Sequence, residues 1–220
     1  MAVHNRSSLK PRRTPRQARA EVTIDAIFEA TIQLLVSDGI RGLTTTRVAE
    51  RAGVSVGTMY QYFPHKESLV YALNERYLAM LADRIEVTCS SKTGAPVNSM
   101  IEALITSYWQ AKTERTEVTK ALYRSVAELD NQPLIDTFII RINASTIAML
   151  ESADDIKFED VDSVNLTLLT VIFGTVRNVF EQDLSPARSS NVFRQLLIMC
   201  NAYLETFRIA ESKCITKSDI

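Results

Sequence analysis

Between Leu43 and Phe63 the chain reads Leu-Thr-Thr-Thr-Arg-Val-Ala-Glu-Arg-Ala-Gly-Val-Ser-Val-Gly-Thr-Met-Tyr-Gln-Tyr-Phe, a stretch dense in hydroxyls and small side chains. Thr45, Thr46, Thr58, Tyr60 and Tyr62 can donate to phosphate oxygens, and Arg47 and Lys66 can neutralise them. Gln61 can pair with a base edge, while Val56 and Gly57 are small enough to let a helix approach one closely. Catalytic chemistry has no comparable support. His4 and His65 are the only histidines, and neither a nucleophile–base spacing nor a glycine-rich phosphate loop is present. The three cysteines, Cys89, Cys200 and Cys214, are scattered without ligand spacing. No catalytic residue, cofactor or metal site is expected; the cysteines read as reduced thiols, with redox sensing at Cys200 left as an alternative.

These side chains need two short elements to aim them. Thr44 is placed to cap a helix whose inner face is Val48, Ala49 and Ala52. Gly53 falls where a tight turn demands positive φ, and Val54 fills the angle behind it. Ser55 caps a second helix of about two turns, with Met59 and Phe63 inward and Val56, Gly57, Thr58, Tyr60, Gln61 and Tyr62 outward. Two helices joined by a tight turn also occur in ordinary bundles. The outward hydroxyls and the flanking cations Arg41, Arg47, Arg51 and Lys66 favour a nucleic-acid face.

Around this segment the apolar spacing is helical throughout. Ile24, Ile27, Phe28, Thr31, Leu34 and Leu35 form the stripe of a first helix from about Arg16 to Ser37, closed by Asp38-Gly39. A longer helix is predicted from Lys66 to Val87, with Leu69, Leu73, Tyr77, Met80 and Leu81 on one side. Ser90 to Ser99 has loop composition, and five further helices are predicted at 98–114, 116–130, 133–153, 159–184 and 189–211. The fold class is therefore all-α. The predicted domains are a flexible basic arm (1–15), a three-helix helix-turn-helix head (16–66), a connecting helix (67–89) and a helical body (90–220).

Hydrophobic residues make up 46% and charged residues 23%, enough apolar content for a core without disulfides or metal. The net charge of −1 hides an asymmetry: ten Lys/Arg stand against five Asp/Glu up to Lys66, and 15 against 21 beyond it. A basic head on an acidic body suits a chain of which one end meets a polyanion. The greasiest run, Asn165 to Val176, reads as too short and too polar to span a bilayer, so a soluble, cytoplasmic protein is expected.

The stretch from Thr44 to Leu69 resembles the TetR/AcrR family of one-component regulators. Thr44, Val48, Ala49, Ala52, Gly53, Val54, Ser55, Gly57, Thr58, Tyr60, Tyr62, Phe63, Lys66, Glu67 and Leu69 stand where that family's DNA-binding segment has matching residues. His65 departs from it, since a small polar helix cap is commoner there, and reads as a plain solvent-facing cap. The resemblance implies double-stranded DNA with a pseudo-palindromic operator as partner. It places Thr45, Thr46, Val56, Gly57, Thr58, Tyr60, Tyr62 and Lys66 at the duplex, with base reading by Val56, Gly57, Gln61 and, as further candidates, Thr46 and Arg47. The cations Lys10, Arg12, Arg13 and Arg16 either follow the minor groove or lie in solvent.

The resemblance also implies a ligand-binding and dimerisation body. The homodimer would form through segments 159–184 and 189–211, on stripes of Leu166, Leu169, Phe173, Val176 and Phe180 and of Val192, Leu196, Met199, Tyr203 and Phe207, for which monomer core is the competing reading. A largely apolar small-molecule effector is expected among Met100, Tyr108, Trp109, Tyr123, Phe138, Met149 and Phe173, each of which core packing would also explain. Arg141 would meet an acidic group of the ligand, be spent on a salt bridge or face solvent. The function implied is a ligand-released repressor; the alternatives are a helical protein-interaction module that has lost DNA binding, or a helical enzyme.

Overall fold

The computed structural model describes the backbone of residues 15–128 and 131–215, and the side chains of 19–125 and 131–207. Its elements are α1 (Pro15–Gly42), α2 (Thr45–Ala52), α3 (Val56–Tyr62), α4 (Lys66–Ser91), α5 (Val97–Thr113), α6 (Thr116–Glu128), α7 (Gln132–Glu151), α8 (Val161–Glu181) and α9 (Pro186–Ile215). Among the described residues no strand occurs, in keeping with the all-α reading. The side chains of Lys10, Arg12, Arg13, Arg16 and Cys214 lie outside the described residues. Two compact units result, one ending at Leu73 and the other beginning at Asn74, and α4 contributes turns to each.

In the first unit the stripe on α1 is buried as its spacing requires: Ile27, Phe28, Thr31, Leu34 and Leu35 are closed off from solvent. Thr31 returns its hydroxyl to the Ile27 carbonyl at 2.7 Å, so no polar group is stranded. Gly39 breaks the regular helix with φ 66 and ψ −177. Val48 and Ala49 of α2, Met59 of α3, Phe63, and Leu69, Val70 and Leu73 of α4 complete one core. The Phe28 and Phe63 rings meet with centroids 5.7 Å apart.

The second unit is built around α5 and α8. Helix α5 packs on α6, α7 and α9, and α8 packs on the same three. Ile101, Leu104, Ile105 and Tyr108 of α5, Ile142 and Met149 of α7, Leu168, Ile172 and Val176 of α8, and Leu196, Cys200 and Leu204 of α9 form its core with Leu81 and Ile85 of α4. The loop expected at Ser90–Ser99 is shorter than its composition suggests, because α4 continues to Ser91. Cys89 lies in register with Leu81 and Ile85 and is equally buried, and that burial extends the helix. Val97 N–H donates to Asp155 Oδ1 at 2.9 Å and Gly94 N–H to Ser152 Oγ at 3.0 Å, tying the two inter-helix turns together.

Helices α7 and α8 are long and apolar enough, by length and hydropathy alone, to cross a membrane, α8 running past the Asn165–Val176 stretch at both ends. Their apolar faces join the core just described, and Asn165 of α8 is buried against Asn143 of α7 at 3.1 Å. The amides of that pair satisfy each other inside the contact between the two helices.

The fold of the first unit turns on Gly53. It takes φ 68 and ψ 27, a left-handed conformation that costs a side-chain-bearing residue about 1–2 kcal/mol. Gly53→Ala is expected to lower unfolding stability by about that amount, read by urea denaturation. Unchanged stability would remove the strain argument.

Candidate nucleic-acid interface and body cavities

Helix α2 opens as its sequence requires, with Thr44 Oγ1 accepting from Arg47 N–H at 3.2 Å. It closes at Gly53, after which Val54 N–H reaches back to the Ala49 carbonyl at 3.0 Å. Ser55 Oγ then accepts from Thr58 N–H at 3.0 Å and starts α3. Met59 is wholly buried, which anchors this seven-residue helix by one side. The opposite side stands free: Val56 is 42% and Tyr60 51% exposed, with Gly57 and Gln61 open beside them and Thr58 and Tyr62 half-buried. Thr46 on α2 is exposed as well.

Thr45 departs from the expectation that it would meet DNA. It is 8% exposed, because it shares the inward face of α2 with Val48 and Ala49 at helical spacing. Its hydroxyl donates to Tyr60 Oη at 3.4 Å. That leaves the Tyr60 hydroxyl proton free to point outward. Arg47 is also more constrained than its sequence position suggests: its guanidinium donates to Asp38 and to the Gly42 carbonyl at 2.6 Å. The Arg47 hydrogen bond holds the Asp38 carboxyl below its usual range. Lys66 has no ion-pair partner among the described residues and stands half-buried at the first turn of α4. His65 caps that helix: its Nδ1 accepts from Ser68 N–H at 3.1 Å, and Ser68 Oγ donates to the His65 carbonyl at 2.7 Å.

Gly57 carries the most specific signal. A Cβ added there would meet only Ser55 Oγ, 3.8 Å away. Glycine within a helix costs about 1 kcal/mol relative to alanine, and nothing in the chain itself demands it.

In the second unit the expected pocket residues separate. Trp109 borders a cavity of about 350 Å³ with Lys120, Phe180 and Asp183, and Tyr123 borders another of about 150 Å³ with Asn74, Tyr77, Thr119, Ile135 and Arg177. Met100 and Met149 are closed inside the core and border neither. Tyr108, Phe138 and Phe173 stack on one another, with centroids 4.5 Å (Tyr108–Phe173) and 6.0 Å (Phe138–Phe173) apart, and border neither cavity. Arg141 takes the salt-bridge alternative that its sequence position allowed, donating to Glu86 at 2.8 and 2.7 Å and to Asp83 at 2.6 Å. Burial pushes the Cys200 thiol up to about 11, which keeps it protonated and argues against redox sensing.

The dimer stripes are also redistributed. Leu169, Val176, Phe180 and Leu196 are monomer core. Among the described residues, the large apolar side chains left in the open on α8 and α9 are Leu166, Ile198 and Met199, 63%, 55% and 49% exposed. Gly174 lies on the same helix side as Leu166, two turns on, and its missing Cβ would meet open space.

Comparison with known proteins fits this geometry to a family. The profile of bacterial regulatory proteins of the tetR family matches residues 27–73, and that of the tetracyclin-repressor-like C-terminal domain matches residues 96–204. The chain belongs to the TetR family. A transcriptional regulator of the helix-turn-helix type from Haemophilus influenzae is 32% identical over 71 residues, 32% of this chain and 37% of that one. The nucleoid occlusion factor of Actinobacillus pleuropneumoniae is 33% identical over 97 residues, 44% of this chain and 47% of the relative. The matched stretch thus spans less than half the length of these relatives. A TetR-family regulator from Mesorhizobium loti has the same fold, with a TM-score of 0.71 at 18% identity over 88% of this chain and 98% of that one.

Lys112 is the residue that motif reading passed over. It is 2% exposed, and its Nζ donates to Tyr77 Oη at 3.3 Å. The signal was present in this TetR-family sequence, for Lys112 continues the α5 stripe Ile101, Leu104, Ile105 and Tyr108 at helical spacing. Burial brings its amine down from 10.5 to about 7. Between those values the unfolded chain holds more protons than the folded one, so stability rises with pH across that window. The wild-type chain is expected to gain on the order of 3 kcal/mol between pH 7 and about pH 9.5 relative to Lys112→Met, read by urea unfolding at each pH. Parallel pH profiles would show that Lys112 is solvated.

Proposed function

We propose that this chain is a homodimeric, sequence-specific DNA-binding regulator of the bacterial cytoplasm, a repressor released by a small molecule. The observation that carries the reading is the free side of α3, where Gly57 leaves a gap between exposed Val56 and Tyr60 that nothing in the chain fills. Backbone can then come within contact distance of a major-groove floor. Tyr60, Tyr62, Thr58 and Lys66 suit phosphates and set register; Val56 and Gln61 suit a thymine methyl and an adenine edge, and Thr46 and Arg47 flank them. Thr45 acts through Tyr60. The second copy would dock on the open face of Leu166, Gly174, Ile198 and Met199, where a mid-helix glycine again has no use inside the chain. Helix α4 begins at Lys66 and carries Tyr77 and Leu78 beside the smaller cavity, so an effector there would bias the helix that also carries a phosphate contact.

The test uses a duplex selected by the protein from a random library, with binding read by fluorescence anisotropy over a salt series. Tyr60→Ala and Lys66→Ala are each expected to weaken binding to every sequence about tenfold, with a shallower salt slope for the lysine variant. Gln61→Ala should change sequence preference instead. Gly57→Ala is expected to hold or raise the melting temperature while weakening operator binding at least about tenfold. Full operator affinity in the Tyr60→Ala/Lys66→Ala double variant would refute the assignment.

A further inference from the structure

The buried ammonium of Lys112 has surroundings that leave part of its bonding capacity unused. Three tyrosine rings from three helices enclose its Nζ: Tyr77 of α4 at 4.7 Å, Tyr123 of α6 at 4.8 Å and Tyr108 of α5 at 5.5 Å from the ring centroids. Ring faces attract a cation, but they do not supply a hydrogen-bond acceptor in its plane. Of three N–H donors one is used, on Tyr77 Oη, and no carboxylate among the described residues lies within ion-pair distance. A charge this deep is costly without a counter-ion.

The cavity of about 150 Å³ lies directly beyond two of those rings, since Tyr77 and Tyr123 form part of its wall. Its lining holds no Asp or Glu, while Arg177 of α8 brings a second cation to it. Arg177 is itself paired with Glu181 at 2.6 Å on the exposed side of α8. Leu78, Leu122 and Ile135 supply apolar wall, and Asn74 and Thr119 supply polar points. A space of this size holds a benzene-sized molecule. The larger cavity differs in charge, because its Lys120 is already neutralised by Asp183 and Glu117.

We propose that the smaller cavity is a site for a small organic anion, a carboxylate on an apolar body about the size of one ring, with Lys112 as its counter-ion. This rests on the reading of the body as an effector sensor and names the class of effector. The carboxylate would accept from the hydroxyl of Tyr77 or Tyr123, with Lys112 behind those two rings as the balancing charge and the apolar part against Leu78, Leu122 and Ile135. The phenols facing Lys112 stay neutral, because burial raises Tyr77, Tyr108 and, to about 12, Tyr123. Lys112 itself, held near 7, would then take up a proton as the anion enters.

Benzoate, cyclohexanecarboxylate and hexanoate, each beside its amide, are titrated into the full-length protein by calorimetry at pH 6.5 and pH 8.5. At least one acid is expected to bind about tenfold or more tighter than its amide, with proton uptake revealed by buffers of different ionisation enthalpy. Lys112→Met should erase the preference for acid over amide while the melting temperature holds or rises, and Tyr77→Phe, which removes only the hydroxyl, should weaken the acid several-fold. Equal binding of every acid and its amide, or a preference that survives in Lys112→Met, overturns the proposal. Operator anisotropy on the same preparations separates the two readings. A protein that binds its selected duplex but does not discriminate acid from amide keeps the regulator assignment and loses this one. A protein that binds acid through Lys112 without binding any duplex keeps the anion site and loses the regulator assignment.

Discussion

The left-handed corner at Gly53 is the constraint on which the nucleic-acid face depends. A helix of seven residues has no stability of its own in water, so α3 exists because its ends and one side are held. Gly53 turns the chain, Ser55 caps the new helix, and Met59 drives its inner side into the core shared with α1 and α2. With those three points taken, the remaining positions have nowhere to face but out. The exposed hydroxyls and the gap at Gly57 are thus consequences of packing that happens on the other side of the helix.

The charges of the first unit divide between structure and surface. Arg47 is spent on Asp38 and the Gly42 carbonyl, bracing the turn between α1 and α2. Lys66 is left uncommitted, and Tyr60, steadied by Thr45, keeps its proton for an outside acceptor. A surface whose positioning groups are braced internally loses little conformational freedom when it meets a rigid duplex. The second unit uses charge differently. Arg141 is paired with Asp83 and Glu86, and Lys120 with Asp183 and Glu117, whereas Lys112 is buried with aromatic rings as its main company.

Glycines Gly57 and Gly174 make a pair of another kind. Neither has positive φ and neither would clash with the chain if it carried a side chain. Each weakens its own helix without a packing need inside the protomer, which is what the proposed groove contact at Gly57 and the proposed docking of a second copy at Gly174 would account for. On α8 the open apolar face is narrower than the apolar stripe alone indicates, because Leu169, Val176 and Phe180 are consumed by the monomer core.

What the amino-acid sequence by itself determined is everything set within a few residues: the two caps at Thr44 and Ser55, the positive φ of Gly53, the inward Met59, the helical period of α1 and α5, and with them the family. Those features are local because hydrogen bonds between neighbours and a 3.6-residue repeat need no distant partner. Tertiary structure alone decided which side of an apolar helix became core, so that the stripe on α8 divided and α4 ran on past Val87 to bury Cys89. It turned Thr45 inward, tied Arg141 to carboxylates 55 and 58 positions away, and drew Tyr77, Tyr108 and Tyr123 around Lys112 from three helices. A lysine on an apolar stripe announces that it is buried; what it is buried against depends on chain that folds over it from elsewhere.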